Sequence, residues 1–323
     1  MTDLVTGADG FVGQHLVAHL LTAGRDVVGA VHGLPPRLTT LSTDAAARVR
    51  WVSFDLEDRD TVRDLVRRQQ FDRIFHLAAF SSVARSLDDP APAFRVNVIG
   101  TLFLFHAVSS LRREGRTVPR ILVSGSGDIY GSSATRCRPL REECPAQPLN
   151  AYAVSKAAQE QLGLQFHRAE GLPVIVTRSF NHTGPGQRPP FVAADFAVQV
   201  VQARRAGGTA VIRTGNLDVR RDFTDVRDVV RAYVALLERG RPGGVYNVCS
   251  GRARRIGELV DLLATLTDQR LQVEVDPDRV RGVEVPEAVG DHTRLSEATG
   301  WQPAIDLLRS LADLVSFLER AVD

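Results

Sequence analysis

Lysine is nearly missing from this 323-residue chain: of 40 basic residues, 39 are arginine and one, Lys156, is lysine. GC-rich codon usage produces such a bias without any functional cause. The exception is informative, because an ammonium is compact and titrates whereas a guanidinium is a planar fork that stays charged. An excess of either charge is missing as well. Forty basic against thirty-eight acidic side chains leave +2, without blocks of one sign, which excludes the footprint of a nucleic-acid binder. The three cysteines, Cys137, Cys144 and Cys249, form neither an even disulfide set nor a CxxC pair, as fits a reducing compartment. No uninterrupted apolar run approaches the ~18 residues of a membrane span. An apolar strand and a Gly-rich turn follow Met1 almost at once, leaving no room for a signal peptide. A cytoplasmic protein without a membrane partner is expected. Metal-ligand spacing is missing too, since His15 and His19 stand four apart with no third ligand.

What remains is an ordinary globular composition, 44% hydrophobic and 24% charged, with length for roughly two domains at ~150 residues each. Short apolar runs at 3–6, 26–31, 51–54, 73–77, 120–124, 174–177 and 245–248 alternate with helical patterns at 11–21, 61–68, 94–111 and 152–170. That alternation predicts an α/β fold, a Rossmann-type doubly wound parallel sheet. Pro35 and Pro36 make 33–48 an irregular connection. After Phe180 the chain becomes richer in Pro and Gly. This divides it into a dinucleotide-binding domain (1–180 plus 217–250) and a smaller C-terminal substrate lobe (181–216 plus 251–323).

Three constellations carry chemistry. Gly7, Gly10 and Gly13 follow the first strand as GxxGxxG and open the first helix with Phe11 and Val12. Such a turn lets backbone approach a pyrophosphate at a helix N-terminus; alone, it also serves as a plain strand–helix connection. The second strand ends Val31-His32-Gly33 with no carboxylate to repel a 2′-phosphate, which His32 or Arg37 could face. Reading of the ribose by some other group stays open; on the first view, an acid at position 31 shifts preference toward NADH. Tyr152 and Lys156, four apart on one helical face, pair a phenol with the lone ammonium, which favours the phenolate. Ser126, at the end of the fifth strand, can hydrogen-bond the same substrate oxygen. Elsewhere, His76 and His182 read as groups that orient backbone or side chains, and Glu142 and Glu143 as a solvated loop.

GxxGxxG, His76-Leu77-Ala78-Ala79, Asn97, Ser126 with Tyr130-Gly131, and YxxxK together resemble the extended short-chain dehydrogenase/reductase family of nucleotide-sugar enzymes. The longer stretches RSFNHTGPGQ (178–187), GNLDVRRDFTDVRD (215–228) and VYNVCSG (245–251) are similar to the branch that reduces GDP-4-keto-6-deoxy-D-mannose. The resemblance implies catalysis by Ser126, Tyr152 and Lys156, with Lys156 also holding the nicotinamide ribose. It implies cofactor contacts from Gly7, Gly10, Phe11, Val12, Gly13, His32, Asp55, Leu56, Leu77, Ala78, Ala79, Asn97 and Phe180. Asn181, Arg221, Arg281 and Glu284 would hold the sugar nucleotide, the arginines clamping its phosphates. The implied reaction is NADPH-dependent reduction at C4 of a GDP-linked 4-keto-6-deoxyhexose to a rhamnose- or talose-type product, with NAD(H) also usable. A homodimer built on helices 94–111 and 152–170 is implied as well. A 4-epimerase or 4,6-dehydratase of the same family is the alternative. A non-catalytic dinucleotide sensor fits less well, because this chain keeps both Tyr152 and Lys156. Two departures stand out: Ser126-Gly127-Asp128 replaces a Ser/Thr-x-Glu pattern, making Asp128 the candidate acid–base group, and Gly282 replaces a usual proline.

Overall fold

The computed structural model describes residues 1–208, 210–279 and 285–320. In chain order its strands begin with β1 (Thr2–Thr6), β2 (Asp26–Val31), β3 (Arg50–Ser53), β4 (Arg73–His76), β5 (Arg120–Ser126) and β6 (Val174–Ser179). They continue with β7 (Asn181–Thr183), β8 (Ala210–Thr214), β9 (Arg220–Asp225), β10 (Val245–Val248), β11 (Ala253–Arg255), β12 (Leu271–Val275) and β13 (Glu287–Ala288). Seven of these form one parallel sheet in the order β10-β6-β5-β4-β1-β2-β3. Every residue of β4 and β6 is buried, the pattern of strands covered on both faces. Helices Phe11–Thr22 and Val226–Arg239 cover one face through Leu16, Val17, Leu20 and Tyr233. Helices Thr101–Arg113 and Ala151–Glu170 cover the other through Leu104, Phe105, Val108 and Phe166. Strand order reverses between β1 and β4, so a crevice opens there beyond the carboxyl ends of the strands.

The doubly wound parallel sheet matches the expectation from sequence, and all seven expected strands are present. The strand expected at 120–124 runs on to Ser126, which carries that hydroxyl to the rim of the crevice. The helix expected at 94–111 is composite. It starts at Ala91, widens into a π-helical turn over Arg95–Gly100, and continues as Thr101–Arg113. The wide turn keeps Asn97 and Thr101 fully buried beside helix Ala151–Glu170. By length and composition the run Ala91–Arg113 could cross a bilayer, yet half of it is packed inside the fold. The connection expected to be irregular contains one short helix, Thr43–Ala47. Gln14 gathers its start, with Oε1 accepting the N–H groups of Thr39 (2.7 Å) and Thr40 (2.9 Å).

The smaller lobe holds β9 paired with β7, β11 and β13, and a separate β8–β12 pair. Phe196, Val200, Leu259, Leu263, Leu311 and Leu314 form its apolar centre. Two pieces of chain lie outside the division expected from sequence. Residues 220–225, assigned to the large domain, are β9 of the small sheet. Asp222 explains the placement, because its buried carboxylate accepts the N–H groups of Ser250 (2.7 Å) and Gly251 (2.9 Å) where the chain leaves β10. Conversely, Leu295 and Trp301 of the C-terminal piece pack into the large-domain core. Trp301 Nε1 donates to Asp228 O at 3.0 Å, and Asp228 Oδ2 accepts from Ala304 and Ile305, both at 2.8 Å.

Candidate active site

The first turn of helix Phe11–Thr22 faces a cavity of about 530 Å³. Gly7 holds φ at +68°, and a Cβ there would lie 3.0 Å from Ala78 N. A Cβ on Gly13 would run into the Gly7 carbonyl. No side chain caps the helix start at Gly10, so its backbone N–H groups, with Phe11, Val12 and Gly13, line the cavity directly. An uncapped N-terminus in a cradle that a side chain would fill suits a diphosphate. His32, Asp55 and Leu56 line the same cavity, and so do Leu77, Ala78 and Ala79. These residues fit a dinucleotide such as NADP(H), with the diphosphate at Gly10–Gly13.

Two expectations need correction. Val31 is 1% exposed and belongs to the core, so an introduced carboxylate there would be buried; the position that faces the cavity is His32. Asn97 does not line this cavity. Its Oδ1 accepts from Phe80 N at 2.8 Å, and its Nδ2 donates to Phe80 O at 3.1 Å and Ser155 Oγ at 2.9 Å. It holds the loop that carries the cavity wall.

A second cavity, about 230 Å³, adjoins the first, with Phe11, Val12, Leu77 and Ala79 lining both. Here Ser126, Asp128, Tyr152, Lys156, Phe180 and Asn181 come together from β5, the turn after it, helix Ala151–Glu170 and the β6–β7 junction. Asn150 caps helix Ala151–Glu170, its Oδ1 accepting from Ala153 N at 2.8 Å, which fixes Tyr152 in the first turn and Lys156 in the second. Ser126 Oγ accepts from Asp128 N at 3.1 Å and hydrogen-bonds the Tyr152 hydroxyl. Gly127 is explained by Phe180: a Cβ there would lie 3.2 Å from the ring, which also packs against Tyr130.

The expectation that the Lys156 ammonium lowers the Tyr152 pKa does not hold. Burial, and after it the Asp128 carboxylate, pushes the Tyr152 hydroxyl well above the usual phenol range; the Ser126 hydrogen bond works in the other direction. Burial lowers Lys156 from 10.5 to about 7. Its Nζ donates to Ser124 O and to Gln159 Oε1, both at 2.5 Å. Burial, reinforced by the Asp128 carboxylate, therefore disfavours the phenolate.

Arg221 lines a third cavity, about 90 Å³, whose wall shares Asp128 with the second. Its Nη1 donates to Arg220 O (2.8 Å) and Val285 O (2.9 Å). Arg281, Gly282 and Glu284 lie outside the described residues. Glu142 is not solvated: its side chain is 4% exposed and accepts from Asn247 N at 2.7 Å, while Glu143 is exposed. Asn247 in turn accepts from the Tyr130 hydroxyl at 2.7 Å, which staples the loop behind the third cavity. His182 does orient backbone, with Nδ1 3.0 Å from Phe180 O, but it also lines both larger cavities and stacks on Phe11. Ser81, Gln187, Phe191 and Phe223 line the second cavity unforeseen, although Gln187 and Phe223 lie inside quoted motifs. His76 is buried between Thr6 and Thr101, as an orienting group, and burial pushes its pKa down to about 3. Among the described residues no cluster of His, Cys, Asp or Glu is arranged for a metal ion.

The GDP-mannose 4,6 dehydratase family profile matches residues 4–314. The GDP-6-deoxy-D-mannose reductase of Pseudomonas aeruginosa is 39% identical over 318 residues, covering 98% of this chain and 97% of its own length. The solved structure of RMD from P. aeruginosa complexed with NADPH superimposes with a TM-score of 0.82 at 38% identity, over 98% and 99% of the two chains. UDP-glucose 4-epimerase of Thermotoga maritima, solved with UDP-glucose, gives a TM-score of 0.88 at 27% identity over the full length of both.

Proposed function

The chain belongs to the GDP-mannose 4,6 dehydratase family of extended short-chain dehydrogenase/reductases, and on that premise we propose that it is an NADPH-dependent reductase. Its substrate is the C4 keto group of GDP-4-keto-6-deoxy-D-mannose, and its product a GDP-6-deoxyhexose of rhamnose or talose type. The observation that carries this reading is the convergence of Ser126, Tyr152 and Lys156 on a cavity that opens into the dinucleotide cradle.

Bound NADPH supplies a hydride to C4. Tyr152 supplies the proton to the resulting alkoxide, and the raised pKa of its hydroxyl keeps it loaded for that role at neutral pH. Ser126 hydrogen-bonds the same oxygen, its own orientation set by Asp128 N. Lys156 spends two donors on Ser124 O and Gln159 Oε1, which leaves one ammonium hydrogen for a ribose hydroxyl. Asn181 and Arg221, on the walls of the second and third cavities, contact the sugar diphosphate. The absence of a carboxylate at His32 favours NADPH over NADH.

A 4,6-dehydratase starts from an unoxidised sugar and must also remove the C5 proton and expel the C6 hydroxyl. Its later steps need an acid–base group at the second residue after Ser126, where Asp128 is one methylene shorter than glutamate. Incubation with NADPH and a panel of 4-keto-6-deoxy sugar nucleotides, followed by absorbance and product NMR, tests the reading. Conversion of GDP-mannose to its 4-keto derivative with NADP⁺ would refute it and make Asp128 the acid–base residue.

Phe94 and Ile99 of the run 91–113 and Val154 of helix Ala151–Glu170 remain exposed at 38%, 44% and 40%. They support a homodimer closed through those helices, which light scattering tests. Three free thiols fit the cytoplasm.

A further inference from the structure

Two polar rungs join the buried faces of helix Ala151–Glu170 and the helical run 91–113. In one, Asn97 Nδ2 donates to Ser155 Oγ at 2.9 Å; in the other, Gln159 Nε2 donates to Thr101 Oγ1 at 2.8 Å. The partners are four residues apart on each helix, so the rungs sit one turn from each other. Both lead to the same loop. Asn97 holds the N–H and carbonyl of Phe80. Thr101 Oγ1 meets His76 Nε2 at 2.9 Å, His76 Nδ1 meets Thr6 Oγ1 at 2.9 Å, and Thr6 Oγ1 accepts from Ala78 N at 3.1 Å. Leu77, Ala78 and Ala79, tied down in this way, wall the dinucleotide cradle. At its near end the second rung reaches Lys156, whose Nζ donates to Gln159 Oε1 at 2.5 Å. Thr6, His76, Thr101, Lys156 and Gln159 are each at most 3% exposed. Burial keeps His76 neutral, so Lys156 is the only cation in the chain of contacts.

The amide of glutamine matches the middle of this chain because it accepts from an ammonium at one end and donates to a hydroxyl at the other. Lys156 has one other fixed acceptor, Ser124 O. With one acceptor instead of two, the ammonium can rotate about that single contact. A donor set wrongly by about an ångström weakens the chemical step more than it weakens binding.

We infer that Gln159 is a positioning residue that fixes the Lys156 ammonium and ties it, through Thr101 and His76, to the loop walling the dinucleotide cradle. This role rests on the reductase reading, and the test separates the two. Gln159→Met keeps length and bulk while removing both polar contacts. Its kcat falls about tenfold or more, with KM for the sugar nucleotide and Kd for NADPH within about twofold of the parent. Gln159→Glu keeps an acceptor for Lys156 and returns kcat to within about threefold. Because Lys156 is the only lysine, ¹⁵Nζ-lysine labelling puts one side-chain signal in the spectrum. That signal shifts in Gln159→Met and returns toward the parent in Gln159→Glu, whether or not the substrate assignment holds. Absence of turnover in the parent with every 4-keto sugar would sink the reductase reading alone. An unmoved lysine signal, or equal losses of kcat in both variants in step with thermal stability, would overturn the role of Gln159. If Gln159→Met does not fold, Thr101→Val tests the far end of the rung; it should lower kcat about threefold, and an unchanged kcat and lysine signal would refute the inference.

Discussion

Replacing the lone lysine with methionine should change the pH dependence of stability by a calculable amount. Lys156 is 3% exposed, and burial brings its pKa from 10.5 down to about 7. Between those values the unfolded chain holds a proton that the native chain releases, so stability rises with pH across that window. The contribution is complete above about 10.5 and is lost as the pH falls through about 7. At ~1.36 kcal/mol per tenfold change in proton affinity, it amounts to about 2 kcal/mol between pH 7 and pH 9. Lys156→Met abolishes that slope. The variant also leaves Ser124 O and Gln159 Oε1 without their donor, at a cost of about 1–3 kcal/mol each, but that cost does not vary with pH. The quantity to measure is therefore the difference in unfolding free energy between variant and parent, from urea titrations at pH 7, 8 and 9 at constant salt. The variant's relative advantage should shrink by about 2 kcal/mol as the pH rises, since other titrating groups are common to both chains and cancel. A difference that stays constant across the range would mean that the buried amine is not held near neutrality.

Other expectations follow from the same geometry. Lys156→Arg should lose at least about a hundredfold in kcat with the fold retained, because the larger fork cannot sit between Ser124 O and Gln159; near-normal NADPH oxidation would refute this. His32→Asp should shift the NADPH-to-NADH ratio of kcat/KM toward NADH by roughly tenfold, since a carboxylate there repels a 2′-phosphate; an unchanged ratio means that the ribose is read elsewhere. Gly13→Ala places a Cβ against the Gly7 carbonyl and 2.9 Å from Ala8, so NADPH affinity should fall at least about tenfold in a fluorescence titration. Wild-type affinity in that variant would show that the turn does not cradle the cofactor.

Local patterns in the sequence accounted for much of the site. The Gly7–Gly13 turn, the i,i+4 pair of Tyr152 and Lys156, and the alternation of strands and helices each repeat over a few residues. They were legible because backbone geometry alone dictates such spacings. Asn97 was legible as an important residue but not as a structural one. Its partners Phe80 and Ser155 stand 17 and 58 positions away. Glu142 read as solvated because it stands in a charged, proline-flanked stretch before the helix of Tyr152; Asn247, whose N–H it accepts, lies 105 positions on.

The amino acids by themselves determined the doubly wound sheet and the Gly-rich turn, and they singled out Ser126, Tyr152 and Lys156, which the fold brings to one cavity. The tertiary structure alone decided that 220–225 belongs to the small sheet, that Val31 turns into the core while His32 faces the cavity, and that Gln159 holds Lys156. It also decided that burial raises the Tyr152 pKa, where the sequence suggested that the ammonium lowers it. The two sets divide by range. A turn or a helical pair is set by the dihedral preferences of adjacent residues. Burial, cavity lining and pKa depend on which distant strands and helices become neighbours, and each polar group there responds to water that the whole fold has removed.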